Sequence, residues 1–145
     1  MHFRRFIASD FEEYQSWFSD PEILRWLGPA PDAEWLNHVL NDTEGAQFVG
    51  ECNGVTQAVI GVIFASETNR IHVITDFAVH PSWQRTGTAQ QALKAVETIL
   101  FKREKLPIVT YIDQQNLRAI GFFTKSEYVR FGAVVDQMVE LRKVP

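Results

Sequence analysis

Asp76-Phe77-Ala78-Val79-His80-Pro81-Ser82-Trp83-Gln84-Arg85-Thr86-Gly87-Thr88-Ala89 is the stretch that decides the fold. Its first residues close a run, Ile71–Val79, rich in β-branched side chains, and Pro81 then forces a turn. From Thr86 to about Lys105 the period becomes helical: Ala89, Leu93, Val96 and Leu100 line one stripe, with Ala92 and Ile99 beside it. Pro107 ends that helix, and Pro107–Ile112 reads as a buried strand. A strand–helix–strand crossover of this kind makes its two strands parallel. At the mouth of the helix, Gly87 and Ala89 remove side-chain bulk, so backbone N–H groups can approach an anion that the helix dipole favours. Arg85 adds a fixed cation, and the construction suits a pyrophosphate; close helix–sheet packing is the plainer use of the same residues. The dinucleotide GxGxxG pattern and the P-loop both fail here, because one glycine stands alone and no Gly-Lys-Ser/Thr follows.

Upstream, Phe3–Ile7 reads as a short strand, and Ser9-Asp10-Phe11-Glu12 matches a capping box that starts a helix running to about Phe18. Asp20-Pro21 starts a second helix that stops at Gly28, and Pro31-Asp32 starts a third with Trp35, Leu36, Val39 and Leu40 on one face. Gln47–Cys52, Thr56–Ala65 and Ile71–Val79 follow as strands, punctuated by Asn53-Gly54 and Thr68-Asn69 as antiparallel hairpins are. Downstream, Asn116 to Lys125 is a short helix, and Tyr128–Phe131 and Gln137–Val144 are closing strands. The fold class is α/β: a mixed, mostly antiparallel sheet with a central parallel pair, flanked by helices.

A chain of 145 residues is one domain, residues 1–145, at the usual ~150 residues per domain. Apolar residues are 46% and charged residues 22%, which excludes a disordered chain. Cys52 is the single cysteine, so no intramolecular disulfide forms, and the four histidines have no zinc-like spacing, so no metal is expected. The longest uncharged run, Cys52 to Ser66, is too short and polar to span a bilayer. Arg4 and Arg5 precede no apolar stretch of the signal-peptide kind, so the expectation is a cytoplasmic domain without a membrane partner. Net charge is −4, but residues 1–53 carry −7 and residues 54–145 carry +3. Such a field suits a cationic ligand near the first third and an anionic one near the rest, or simply two solvated surfaces. The basic residues form no dense patch, which argues against nucleic acid.

Two segments resemble the GNAT family of N-acetyltransferases. Val79-His80-Pro81 followed by Gln84-x-x-Gly87-x-Ala89 is similar to its acetyl-CoA motif, Gln/Arg-x-x-Gly-x-Gly/Ala after a strand ending in Val-x-Pro. Asn116-x-x-Ala119-x-x-Phe122-Phe123-x-Lys125-x-x-Tyr128 is similar to the family's Asn-x-x-Ala-x-x-Phe-Tyr-x-Lys-x-Gly-Phe. The opening, Trp17 to Gly28, looks like members close to ribosomal-protein and aminoglycoside acetyltransferases. The resemblance implies an acyl-CoA N-acyltransferase fold in which the strand carrying Phe77, Ala78 and Val79 splays from Val109–Ile112. Pantetheine would lie in the gap and pair with main-chain groups. The amides of Arg85, Thr86, Gly87, Thr88, Ala89 and Gln90 would take the pyrophosphate, with Gln84 beside them. Asn116 would meet the pantetheine or thioester, besides capping its helix, and Phe122 and Phe123 would pack on acetyl-CoA, the implied cosubstrate.

The implied reaction is direct attack of a primary amine on the acetyl thioester in a ternary complex. Here the chain departs from the family. The usual general-acid tyrosine is Phe123, a glutamate base of some relatives is Tyr111, the closing glycine is Glu127, and Arg85 stands where glycine is common. Asp76 is then the candidate base through water, with Tyr111 or Tyr128 as substitute acid; an ion-paired strand-end carboxylate and core tyrosines are the alternatives. His80 reads as a turn residue and Cys52 as a buried thiol. Trp17, Trp26 and Trp35 pack the core, or wall a site for a cationic amine beside Asp20, Glu22, Asp32 and Glu34. The acceptor, a polyamine, antibiotic, amino acid or protein amine, stays open. So does a second class of function, a non-catalytic acyl-CoA-binding module. Exposed strands of small sheets pair, which points to a homodimer.

Overall fold

The computed structural model describes residues 1–145. Seven strands form one sheet in the order β1-β2-β3-β4-β5-β7-β6: β1 His2–Arg5, β2 Gly45–Cys52, β3 Val55–Ile63, β4 His72–Val79, β5 Ile108–Asp113, β6 Val129–Arg130 and β7 Met138–Lys143. Every pairing is antiparallel except β4 with β5. Helices α1 Phe11–Ser16, α2 Pro21–Leu27 and α3 Ala33–Asn41 precede β2; α4 Thr88–Arg103 joins β4 to β5, and α5 Leu117–Lys125 follows β5. The expected α/β sheet with its crossover is present.

Each face of the sheet has its own core. Ile60, Ile74, Leu93, Val96, Leu100 and Leu141 pack under α4 and α5. Phe6, Tyr14, Trp17, Ile23, Val49, Val59 and Ala78 pack under the first three helices. The caps of α2 and α3 follow the sequence: the Asp20 carboxylate accepts from the Glu22 and Ile23 amides, and the Asp32 carboxylate from the Trp35 amide. Asn53 and Gly54, both at positive φ, make the tight turn between β2 and β3.

The capping box expected at Ser9 does not form. Residues Ala8–Asp10 make a 3-10 turn, and Asp10, not Ser9, supplies the acceptor, taking the Ile7 amide at 2.9 Å. The Arg4 guanidinium forks onto the same carboxylate with two 2.8 Å hydrogen bonds. Burial works against ionisation of Asp10, but Arg4 and the Ile7 amide hold its carboxyl below the ordinary value. A bidentate ion pair outcompetes a serine hydroxyl at this position. Helix α4 also begins two residues later than the periodicity indicates. Gly87, at φ 86°, serves as its left-handed N-cap, and Thr86 stays in the preceding loop.

One irregularity positions everything that follows. Gly61 pairs with Asp76 and Val62 with Ile74, which leaves Thr75 as an extra residue in β4. Such a bulge reverses which side of the sheet the following residues face. Ile74 lies in the α4/α5 core, yet Ala78 lies in the α1–α3 core and Phe77 packs against the α4/α5 core. The parallel ladder stops at the same point, its last rung being Ile74 with Thr110.

Candidate active site

Beyond that rung β4 and β5 part, and a cleft of about 840 Å³ opens between them. Its walls come from β4, β5, the start of α4, α5 and α2. The Thr110 hydroxyl donates to the Ile74 carbonyl at 3.2 Å and closes the zipped end. The His80 amide donates to the Gln57 carbonyl on β3 at 2.8 Å. Since backbone groups alternate sides along a strand, those of Ala78 also face β3, while those of Phe77 and Val79 face the cleft. Ala78 therefore lines the cleft but brings no free backbone group to it, and its methyl group is buried in the α1–α3 core.

The helix mouth forms one end. Arg85 and Gly87 both sit at positive φ, and no side chain caps α4, so the amides of its first turn have no partner within the chain. A Cβ at Gly87 would meet nothing within 4 Å, so the glycine leaves open space there. Gln84, Arg85, Gly87, Ala89 and Gln90 line the cleft. Thr86 and Thr88 do not; their hydroxyls bond each other at 2.8 Å, and that of Thr86 also donates to the Trp83 carbonyl, which holds the loop. Gln84 reaches the Val79 carbonyl at 3.4 Å.

Helix α5 supplies the wall next to β5. Asn116 caps it, accepting from the Ala119 amide at 3.2 Å, and leaves its side-chain NH2 without a protein partner on the cleft. Phe122 and Phe123 stand edge-to-face 5.1 Å apart, and Phe77 meets them at 5.7 and 6.0 Å. Phe123 is buried, so it supports this wall from behind.

Asp76 also lines the cleft, as do Glu22, Ile23, Arg25 and Trp26 of α2. Neither arginine nor lysine pairs with it, contrary to the plainer sequence reading. Its carboxylate accepts from Gln47 Nε2 at 2.6 Å, from Thr75 Oγ1 at 2.8 Å and from the Gly61 amide. Burial pushes this carboxyl above its ordinary value, and the three donors pull it partly back. Tyr111 lines the cleft with its side chain well exposed. Tyr128 does not line it: the hydroxyl donates to Glu97 at 2.8 Å, where Lys143 also bonds Glu97 at 3.1 Å. Burial and the Glu97 charge push the Tyr128 hydroxyl far above its ordinary value. That phenol is a structural group within the core.

Among the tryptophans, Trp26 alone reaches the cleft, with its Nε1 on Glu22 at 3.1 Å and the Arg25 guanidinium 4.4 Å from its ring. Trp17 is buried and Trp35 packs against the same core. His80 caps the turn at Pro81, accepting from the Ser82 amide, and Cys52 is half-buried. Sequence reasoning missed Arg118 and Thr110, which also line the cleft, and Gln47 behind Asp76. Arg118 occupies an unspecified motif position, whereas a glutamine inside an apolar strand run was a legible signal.

Comparison with solved structures places this architecture. An aminoglycoside acetyltransferase, AAC(6')-Ib, in complex with coenzyme A superposes with a TM-score of 0.83 at 19% identity, covering 98% of this chain and 93% of that one. Spermidine N-acetyltransferase from Vibrio cholerae, in complex with CoA and spermine, gives 0.80 at 15% identity over 97% and 92%. The GNAT domain of S. lividans PAT gives 0.84 at 14% identity over 99% and 89%. No curated protein sequence matches the chain. The family model for acetyltransferases matches residues 10–128, a span that includes the bulge, the helix mouth and the Asn116 wall. On that match the chain belongs to the acetyltransferase (GNAT) family.

Proposed function

We propose that this protein transfers the acetyl group of acetyl-CoA to a primary amine of a small cationic acceptor. The observation that carries the reading is one cleft joining an opened strand edge, an uncapped helix mouth and a half-buried carboxylate that no cation neutralises. Structural neighbours hold coenzyme A, and two of them act on polyamine or aminoglycoside acceptors. The residues present fit acetyl-CoA, because the space at Gly87 is open and the first-turn amides of α4 are unclaimed.

When bound, acetyl-CoA supplies an activated acetyl thioester with a thiol as leaving group. The backbone groups of Phe77 and Val79 would pair with its amide-bearing arm as an added strand does. Main-chain amides from Arg85 to Gln90, with the Arg85 side chain, would take its phosphates. One of the cleft-facing N–H groups of β4 would donate to the carbonyl oxygen under attack. Glu22, Trp26 and Asp76 form an acidic, aromatic wall that favours a cationic amine. Asp76, raised by burial, receives the amine proton directly or through water. Tyr111, whose side chain lines the cleft, would return a proton to the departing thiolate. Holding amine and thioester together supplies much of the acceleration, up to roughly 7–11 kcal/mol for aligned partners.

The test is release of free thiol from acetyl-CoA by the purified protein, with spermidine, kanamycin, free lysine and a lysine-bearing peptide as amines. Saturable thiol release with spermidine or kanamycin supports the reading. Saturable acetyl-CoA binding without release from any amine favours a binding module instead.

A further inference from the structure

Gln47 sits two strands from Asp76, outside the cleft lining, yet its amide donates to the Asp76 carboxylate at 2.6 Å. The register explains the reach. Gln47 pairs with Gly61, and Gly61 pairs with Asp76, so the three residues form one row across β2, β3 and β4. Side chains in such a row normally stand side by side and block contact between the outer two. Gly61 has no side chain, and a Cβ there would collide with the Asp76 carboxylate and lie 2.6 Å from both Gln47 Oε1 and Thr75 Oγ1. The bulge at Thr75 completes the arrangement by turning Asp76 toward the same side as Gln47.

We propose that Gln47 is a positioning residue for Asp76, acting across the bare backbone of Gly61 to hold the carboxylate ionised and aimed into the cleft. The proposal rests on the reading of Asp76 as the group that receives the amine proton. Other charged or titratable groups around Asp76 are few. Tyr14 of α1 is raised by burial and by the Asp76 charge, Glu22 and Arg25 of α2 share the cleft, and Tyr111 comes from β5. None of them donates a hydrogen bond to the carboxylate, so Gln47, Thr75 and the Gly61 amide carry its solvation.

The experiment follows the Asp76 carboxyl by carbon-13 NMR through a pH titration of the full chain, in the parent, Gln47→Met and Gly61→Ala. Loss of the amide donor destabilises the charged form, so the Asp76 midpoint moves up in both variants. Alongside, the acidic limb of the kcat/KM profile for the best amine of the panel moves up with it. On that acidic limb, kcat/KM at a given pH falls about tenfold in Gln47→Met, the worth of one hydrogen bond to a charged group. An unchanged Asp76 midpoint in a folded Gln47→Met, or in Gly61→Ala should Gln47→Met not fold, overturns the proposal. The NMR titration needs no acetyl transfer. A protein inert toward every amine would overturn the reading of its activity while the coupling of Gln47 to Asp76 is still decided.

Discussion

The Thr110 hydroxyl donates to the Ile74 carbonyl at 3.2 Å, at the last rung before the two parallel strands separate. The parallel ladder runs no further than this rung, so the hydroxyl adds a side-chain donor at the point where backbone pairing ends. The hydroxyl thus seals the zipped end of a sheet that is open on its other side. In Thr110→Val a buried carbonyl loses its side-chain donor. The melting temperature is expected to fall by about 3 °C, from a loss near 1 kcal/mol, with unaltered circular dichroism at 20 °C as an approximate room-temperature check.

Replacing Asp76 separates function from stability. Its carboxyl is raised in the folded state, so the group favours folding only below its ordinary value of 3.8, and that advantage is lost as pH rises through the folded value. Asp76→Asn removes the half-buried charge and keeps the shape. At pH 7 the variant should melt above the parent and lose at least about a hundredfold in kcat, the lower range for a positioned proton acceptor. Melting curves against pH check the sign, since the advantage of the asparagine shrinks as the solution is acidified.

Gly87 occupies a left-handed backbone position with open space where a side chain would project. Gly87→Ala therefore has two separable effects. Without ligand it costs about 1 kcal/mol, from backbone strain alone. Acetyl-CoA affinity should weaken by more than tenfold, because the methyl group stands where the phosphates approach. Calorimetric titration beside a thermal melt reads both.

Asp10 and Arg4 predict an acid-sensitive edge. The Asp10 carboxyl is lowered in the fold, so its contribution is present above the ordinary value of 3.8 and lost as pH falls through the folded value. Asp10→Asn should lower the melting temperature at pH 7, and the difference from the parent should close as pH falls through the folded value, where the parent loses its ion pair.

Tyr128 tests the placement of the acid. Tyr128→Phe removes the donor to buried Glu97 and should cost about 1–2 kcal/mol of stability. Its kcat for acetyl transfer should match the parent, whereas Tyr111→Phe should lower kcat with a smaller change in stability.

The fold was legible because its signals are local. Proline and glycine punctuation, the stripe through Leu93 and Leu100, and the caps at Asp20 and Asp32 act within a few residues of themselves. The helix mouth was legible for the same reason. What escaped depends on partners distant in sequence. Ser9 loses its cap to an ion pair from β1, and the choice between acid and core residue at Tyr128 turns on Glu97 and Lys143, which meet there. The bulge at Thr75 leaves no mark in composition, yet it decides that Asp76 faces Gln47 and not α5.

Backbone amide NMR of the full chain during an acetyl-CoA titration tests the central claim most directly. The amides of Phe77, Val79, Thr88, Ala89 and Gln90 should shift together and saturate, while those of Ala78 and Ile60, paired inside the sheet, move little. Saturable shifts confined to another face, with the α4 mouth unmoved, would contradict the claim that this cleft is where the thioester is held.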